Sequence, residues 1–266
     1  MIRTQRQELI LKQARKDGFV SIPKTAKKLG ISVETIRRDI NLLVKENLLR
    51  KVHGGAVPVK APIRKDAPFN RRVLQNQQAK IAICSEAVKL IRDGDVVTMD
   101  SGATCTTLAT CIRDVHNVSF VVNSVHIATT LIDKINAGEI TGKVVFLGGE
   151  LNPRNLASYS FVTLDEIDKY HFDLAFVSCS SLSADGVANT TVAGSYVPHL
   201  MRRSSSCVLI ADSDKLGKRS VYKFAELTDF DRIFVDNLQP CPENIHKALE
   251  GTGTTISIVD CSSISD

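Results

Sequence analysis

Apolar residues return every three or four positions through the first 45 residues, and this pattern predicts helices. Leu9, Ile10 and Ala14 mark the inward face of the first. Ala26 and Leu29 mark a short second helix, with Pro23 in its first turn and Gly30 at the tight turn that follows. Val33, Ile36, Ile40, Leu43 and Val44 then face inward from a third helix. Ser32 is placed to cap it and Glu34 lies in its first turn. Thr35, Arg37, Arg38 and Asn41 are left pointing outward. Residues 48–53 alternate like a strand, Gly54-Gly55 turns the chain, and a return strand completes a small wing.

Pro58, Pro62 and Pro68 then interrupt all periodicity, so residues 58–69 read as a linker between a head, 1–57, and a body, 70–266. Helical spacing resumes through Val73, Ile81, Cys84, Val88 and Ile91 and stops near Asp93-Gly94. Beyond it, short β-branched runs alternate with helical stretches: 96–99, 118–122, 144–147, 174–177, 208–210 and 233–235. Near-continuous apolar strands separated by helices predict an α/β domain with a mostly parallel sheet covered on both faces.

In such a sheet, ligands bind beyond the carboxyl ends of the strands. That directs attention to Asp100-Ser101-Gly102-Ala103-Thr104, Asn123-Ser124, Gly148-Gly149-Glu150, Ser178 to Ser183, and Asp212-Ser213-Asp214-Lys215. A small-residue turn opening a helix can offer backbone N–H groups and hydroxyls to a phosphate. Asn123, Ser124 and the glycine pair add donors and room for close approach. Lys215 adds a mobile cation, and Asp100 and Asp212 can accept from sugar hydroxyls. Each also has a plain structural explanation, since Asp, Asn and Ser after a strand commonly cap the next helix and a glycine pair can be a turn. Their coincidence at five strand ends favours a site for a phosphorylated sugar or polyol.

Charge divides the chain in the same place as the prolines. Residues 1–60 hold 14 of the 34 Lys+Arg and 5 of the 29 Asp+Glu, leaving 20 basic and 24 acidic residues for the rest. A basic head on a mildly acidic body suits a phosphate-binding reader joined to a separate sensor. The outward polar residues of the third helix then suit a recognition helix in the major groove of double-stranded DNA. Arg37 and Arg38 would reach bases or phosphates, and Ser32 with Thr35 would anchor the helix. Asn41 extends the same face, while Lys51 and His53 reach out from the wing. No apolar run approaches the ~18 residues a membrane span needs, and the N-terminus lacks a signal-peptide core. Seven cysteines without close pairs fit a reducing cytoplasm, and no cofactor or metal is expected.

The segment IRRDI at 36–40, followed by RKVHGGA at 50–56, resembles the N-terminal domain of the DeoR family of bacterial sugar-metabolism regulators. Arg6, Leu29-Gly30-Ile31-Ser32, Thr35 and Leu42-Leu43 extend the likeness. In the body it rests on Lys80-Ile81-Ala82, Asp93-Gly94-Asp95, 100–104, Asn123-Ser124, Leu147-Gly148-Gly149, Asp173 with Phe176, Gly186 and Asp212-Ser213-Asp214-Lys215. The resemblance implies a winged helix-turn-helix head and a sensor similar in fold to ribose-5-phosphate isomerase. It further implies a repressor of a carbohydrate-catabolism operon controlled by a sugar phosphate, acting as a homodimer or homotetramer on operator DNA. The alternatives are a regulator whose body serves only assembly and, behind it, a sugar-phosphate isomerase using Asp100 or Asp173 with Lys215.

Four departures accompany the likeness. Lys24, Lys27 and Lys28 stand where the family often has acidic residues, and they add phosphate contacts on this reading. The family's Glu and Lys near 194–203 give way to Gly194-Ser195-Tyr196-Val197-Pro198-His199. Ala103 precedes Thr104 in the phosphate loop, and Tyr159 stands near a usual glycine.

Overall fold

The computed structural model describes residues 3–17, 19–45, 48–52, 54–58, 68–189, 196–218, 220–236, 245, 250 and 252–261. The chain divides into two compact units, 1–61 and 62–266. His53, residues 59–67 of the expected linker, and Gly194-Ser195 lie outside the described residues.

In the first unit, helix α1 (Arg3–Asp17) leads into strand β1 (Val20–Ser21), helix α2 (Ile22–Leu29), helix α3 (Val33–Lys45) and strands β2 (Leu49–Val52) and β3 (Gly55–Pro58). The Ser21 hydroxyl caps α2 by accepting the Lys24 N–H at 3.5 Å, and Pro23 sits in its first turn. Ile10, Ala14, Val20, Ala26, Ile36, Ile40, Leu43, Leu49 and Ala56 close a single core. β3 lies between β1 and β2, antiparallel to both, so the wing is anchored by a strand that the hydrophobic pattern did not reveal. Two expected core positions are corrected: Leu9 is 44 % exposed and Val33 42 %. Each is the first apolar residue of its run, and the core begins at Ile10 in α1 and Ile36 in α3.

The second unit begins with helix α4 (Phe69–Leu74) and helix α5 (Gln77–Ala87), followed by a single 3₁₀ turn at Val88–Leu90. The one long helix expected here is broken at Asn76, which adopts the left-handed conformation at φ 51°. Then come β4 (Val96–Met99), α6 (Ala103–Cys111), β5 (Val118–Val122), α7 (Val125–Asn136) and β6 (Gly142–Phe146). A hairpin of β7 (Leu151–Asn152) and β8 (Ala157–Ser158) precedes α8 (Phe161–Ile167), β9 (Phe172–Ser178), β10 (Ser181–Ser183) and β11 (Gly186–Asn189). Helix α9 (Val197–Arg202), β12 (Ser204–Ile210), β13 (Tyr222–Ala225), β14 (Arg232–Val235) and β15 (Thr255–Ile258) complete the described elements.

Seven strands form one parallel sheet in the order β15-β14-β12-β9-β4-β5-β6. Alternate strand residues serve two cores. Val97, Met99, Phe120, Phe176 and Val208 pack with α5, α6 and α7, whereas Val121, Ala175, Val177 and Leu209 pack with α8, α9 and a small antiparallel sheet, β10-β11-β13. The six expected strand runs all fall in this parallel sheet. β15 and the antiparallel pairs were not foreseen, because they are short and only partly apolar. Chain order reverses between β4 and β9, which places the topological switch point at Asp100 and Ser178.

Candidate nucleic-acid interface and candidate effector site

Helix α3 begins where Ser32 accepts the Thr35 N–H at 3.2 Å, and the two hydroxyls meet at 2.8 Å. Ser32 and Thr35 therefore fix the helix start. One turn on, Glu34, Arg37, Arg38 and Asn41 share a face by their three- and four-residue spacing. Arg37 and Arg38 are exposed, and Arg37 holds Glu34 at 3.0 Å in a solvated pair that a phosphate can displace. Asn41 is more enclosed than expected, with its Oδ1 buried and without a hydrogen-bond partner. Lys24, Lys27 and Lys28 are exposed on α2, and Lys51 is exposed on β2. Behind this face, Asp39 is 2 % exposed and receives both the Nε and Nη2 of Arg6, the latter at 3.2 Å. A two-point ion pair, buried on its Asp39 side, thus ties α1 to α3.

At the switch point of the body, Asp100 is 5 % exposed, and its carboxylate is engaged by the fold itself. Oδ2 accepts the Ser178 N–H at 2.6 Å and the Ser178 hydroxyl at 2.8 Å, while Oδ1 accepts the Gly102 N–H. Burial pushes this carboxyl up, against the pull of those three donors. A Cβ on Gly102 would lie 1.9 Å from Ser178 Oγ, so any side chain there must turn that hydroxyl off Asp100. Asp100 is therefore first a clasp between β4 and β9. Ala103 and Thr104 are buried in the opening turn of α6.

Two tyrosines complete this turn. The Ser101 N–H donates to the Tyr196 hydroxyl at 2.7 Å, and Ser101 Oγ meets the same hydroxyl at 3.0 Å. Ser101 Oγ also meets the Tyr159 hydroxyl, which accepts from Asn155 Nδ2 at 2.6 Å. The rings lie 5.3 Å apart at 51°. Burial raises the Tyr159 phenol to about 12 and pushes that of Tyr196 well above its usual range, so both remain neutral donors and acceptors.

The other expected positions divide. Asn123 is 1 % exposed and donates to the Ser158 carbonyl at 2.9 Å, leaving Oδ1 buried without a partner. Ser124 is a helix cap, accepting the Ile127 N–H. Gly148-Gly149 forms a turn packed on the start of α8: the Gly148 carbonyl accepts from Thr163 Oγ1 at 2.7 Å. A Cβ on Gly149, at φ 128°, would fall 2.4 Å from Ser160 Oγ. Lys215 is not the mobile cation expected. It is 9 % exposed, with Nζ 3.6 Å from Asp212 Oδ2, and Asp212 also accepts from Asn76 Nδ2 at 2.8 Å. Asp173 lies at the opposite end of the sheet, where it accepts the Val96 N–H, so it is remote from Lys215 and Asp100.

The comparisons with known proteins cover both units. The model of the DeoR-like helix-turn-helix domain matches residues 6–61, and that of the DeoR C terminal sensor domain matches residues 75–237. The chain belongs to the DeoR family. The L-fucose operon activator of Haemophilus influenzae is 30 % identical over 92 % of this chain and 96 % of its own. The glycerol-3-phosphate regulon repressor of Escherichia coli is 25 % identical over 94 % and 96 %. A ribose 5-phosphate isomerase from Methanocaldococcus jannaschii overlaps 54 % of this chain and 56 % of its own, at 17 % identity and a TM-score of 0.36. The curated relatives are regulators of transcription, and this DeoR-family chain is a DNA-binding regulator, not an enzyme.

Several residues of the DeoR-family body escaped the sequence-based site. Lys80 is 2 % exposed, and its ammonium donates to the Arg72 carbonyl. Burial lowers it to about 8, partly offset by Asp212. The positive charge of Arg72 acts in turn on Asp100 and Tyr159. A lysine on the apolar face of α5 was the available signal for Lys80. Tyr159 and Tyr196 stood out only as departures from the family pattern, and nothing joined them to Ser101, 58 and 95 residues away. Among the described residues, no cluster of His, Cys, Asp and Glu is arranged to hold a metal, and no helix is long and apolar enough to cross a membrane.

Proposed function

We propose that this chain represses a carbohydrate-use operon in the cytoplasm, reading double-stranded operator DNA with its head and a phosphorylated sugar or polyol with its body. The single observation that carries the reading of the head is the exposed Arg37–Arg38 face on a helix whose start is capped by Ser32. Lys24, Lys27 and Lys51 extend that face along phosphates, and Arg37 or Arg38 supplies the base-edge contact. Arg72, Lys80 and Lys215, gathered around Asp100 and Asp212, support an anionic ligand at the β4, β9 and β12 ends. One relative is named for a glycerol-3-phosphate regulon and another for an L-fucose operon, so small sugar and polyol phosphates are the ligand class to try first. A homodimer or homotetramer suits paired operator half-sites.

Ligand control requires the sugar phosphate to bind the DNA-competent and DNA-incompetent forms unequally. Fluorescence anisotropy on DNA from upstream of the protein's own operon, with and without a panel of sugar phosphates, tests both domains. Specific, salt-dependent binding weakened by one compound is the expected outcome. Binding indifferent to every compound would favour the second reading, an assembly-only body, for which the occupied Ser101 donors are the specific observation.

A further inference from the structure

The turn at 100–104 has the form of an anion cradle, but its foremost donors are already taken. The Ser101 N–H is held by the Tyr196 hydroxyl at 2.7 Å, and Ser101 Oγ lies between the hydroxyls of Tyr196 and Tyr159. A phosphate oxygen approaching Ser101 would claim the same N–H and the same Oγ. Tyr196 is 4 % exposed, and Tyr159 packs partly buried against the same core, so neither ring is a loose surface group. Asn155 holds the Tyr159 hydroxyl from behind at 2.6 Å. Meanwhile the neighbourhood remains attractive to anions, because Arg72 acts on both Asp100 and Tyr159 while Lys80 and Lys215 adjoin Asp212.

We propose that Tyr159 and Tyr196 are an internal stand-in for the ligand's anionic group: their hydroxyls hold the Ser101 donors, so an anion binds only by displacing them. This pair sets both the affinity of the sensor and the ligands it accepts. A ligand must bring enough contacts elsewhere, such as hydroxyl donors for the orphaned Asn123 Oδ1, to offset the displaced bonds. Free phosphate lacks those contacts and binds only weakly. The inference rests on the sugar-phosphate reading for its biological meaning, but not for its test.

The test uses the full-length chain and inorganic phosphate as probe, followed by calorimetric titration at constant ionic strength. Wild-type protein should bind phosphate weakly. The double variant Tyr159→Phe/Tyr196→Phe keeps both rings, frees the Ser101 donors and should bind at least about tenfold more tightly. Tyr159→Ala frees one side of Ser101 Oγ but leaves the Ser101 N–H on Tyr196, so it should gain less. Amide exchange at Ser101 should accelerate in Tyr196→Phe without phosphate and slow again when phosphate is added. Phosphate affinity that is unchanged or reduced in both variants, with unchanged melting temperatures, would overturn the proposal, as would a Ser101 amide indifferent to Tyr196. If the variants gain phosphate while no sugar phosphate alters operator binding by any of the proteins, the stand-in is upheld and the sugar-phosphate reading fails.

Discussion

The two units treat their polar groups in opposite ways. On the head, Lys24, Lys27, Arg37, Arg38 and Lys51 are held out in solvent, and Glu34, the partner of Arg37, is itself exposed. On the body, the polar residues at the strand ends turn inward upon one another: Asp100 on Ser178, Ser101 on two tyrosines, Asp212 on Asn76 and Lys215. Exposed charges keep most of their hydration and give long-range attraction that salt can screen. Enclosed charges interact strongly at short range, but any ligand must compete with partners already in place. The head is thus open to its partner before contact, whereas the body must rearrange hydrogen bonds to accept one.

The sharpest break in this contrast is Asp39, a charge that the head buries. Asp39→Ala leaves the partly buried Arg6 guanidinium without its partner, a loss of about 1.5–3 kcal/mol. Scanning calorimetry should show a destabilised head and an unchanged body, with operator binding lost. Equal movement of both transitions, or of neither, would contradict the division into units.

The body's internal charge predicts a pH signature. Lys80 is lowered to about 8 by burial, against about 10.5 when free. Below pH 8 it is protonated in both the folded and unfolded chain, and the burial penalty is fully present. Between 8 and 10.5 the folded state releases the proton first, so this group's contribution to stability rises with pH. Lys80→Met lacks that gain. The stability difference between variant and wild type should therefore shift by on the order of 3 kcal/mol in favour of wild type across that interval. Urea denaturation at pH 7.5 and 10.5 measures it, and a pH-independent difference would rule out a depressed Lys80.

Smaller effects belong to the head's surface. Arg37→Ala should weaken operator binding by about 1–3 kcal/mol and relax preference at one base position if the side chain reads a guanine. A uniform loss on all sequences would make it a phosphate contact. Lys27→Ala should chiefly flatten the dependence of log K on log salt, by about one unit of slope. An unchanged slope would remove Lys27 from the interface.

What could be read in the sequence follows the same division. Helix periodicity and the Ser32 cap are local signals, so the head was legible almost to its ends, missing only β1 and overextending the core to Leu9 and Val33. The parallel strands announced themselves as apolar runs because both their faces are covered. The body's hydrogen-bond network was not legible. Ser178, Asn155, Tyr159 and Tyr196 lie far from Ser101 along the chain, and tyrosines in a partly apolar context look like core. Lys215 resembled a surface cation because nothing local reveals that Asp212 is enclosed beside it. The break at Asn76 was hidden for a related reason: its left-handed turn coincides with a long-range bond to Asp212.

Gly102 carries a lesson for any saturation screen of this regulator. With Ser178 Oγ 1.9 Å from where its first side-chain atom would sit, a substitution there turns that hydroxyl off Asp100 and should score as loss of function through the loosened clasp alone. Intolerance at 102 would then report packing, and a map of effector contacts drawn from loss-of-function scores would centre on the wrong residue. Gain-of-response alleles are the informative class, and positions 159 and 196 are where they should accumulate.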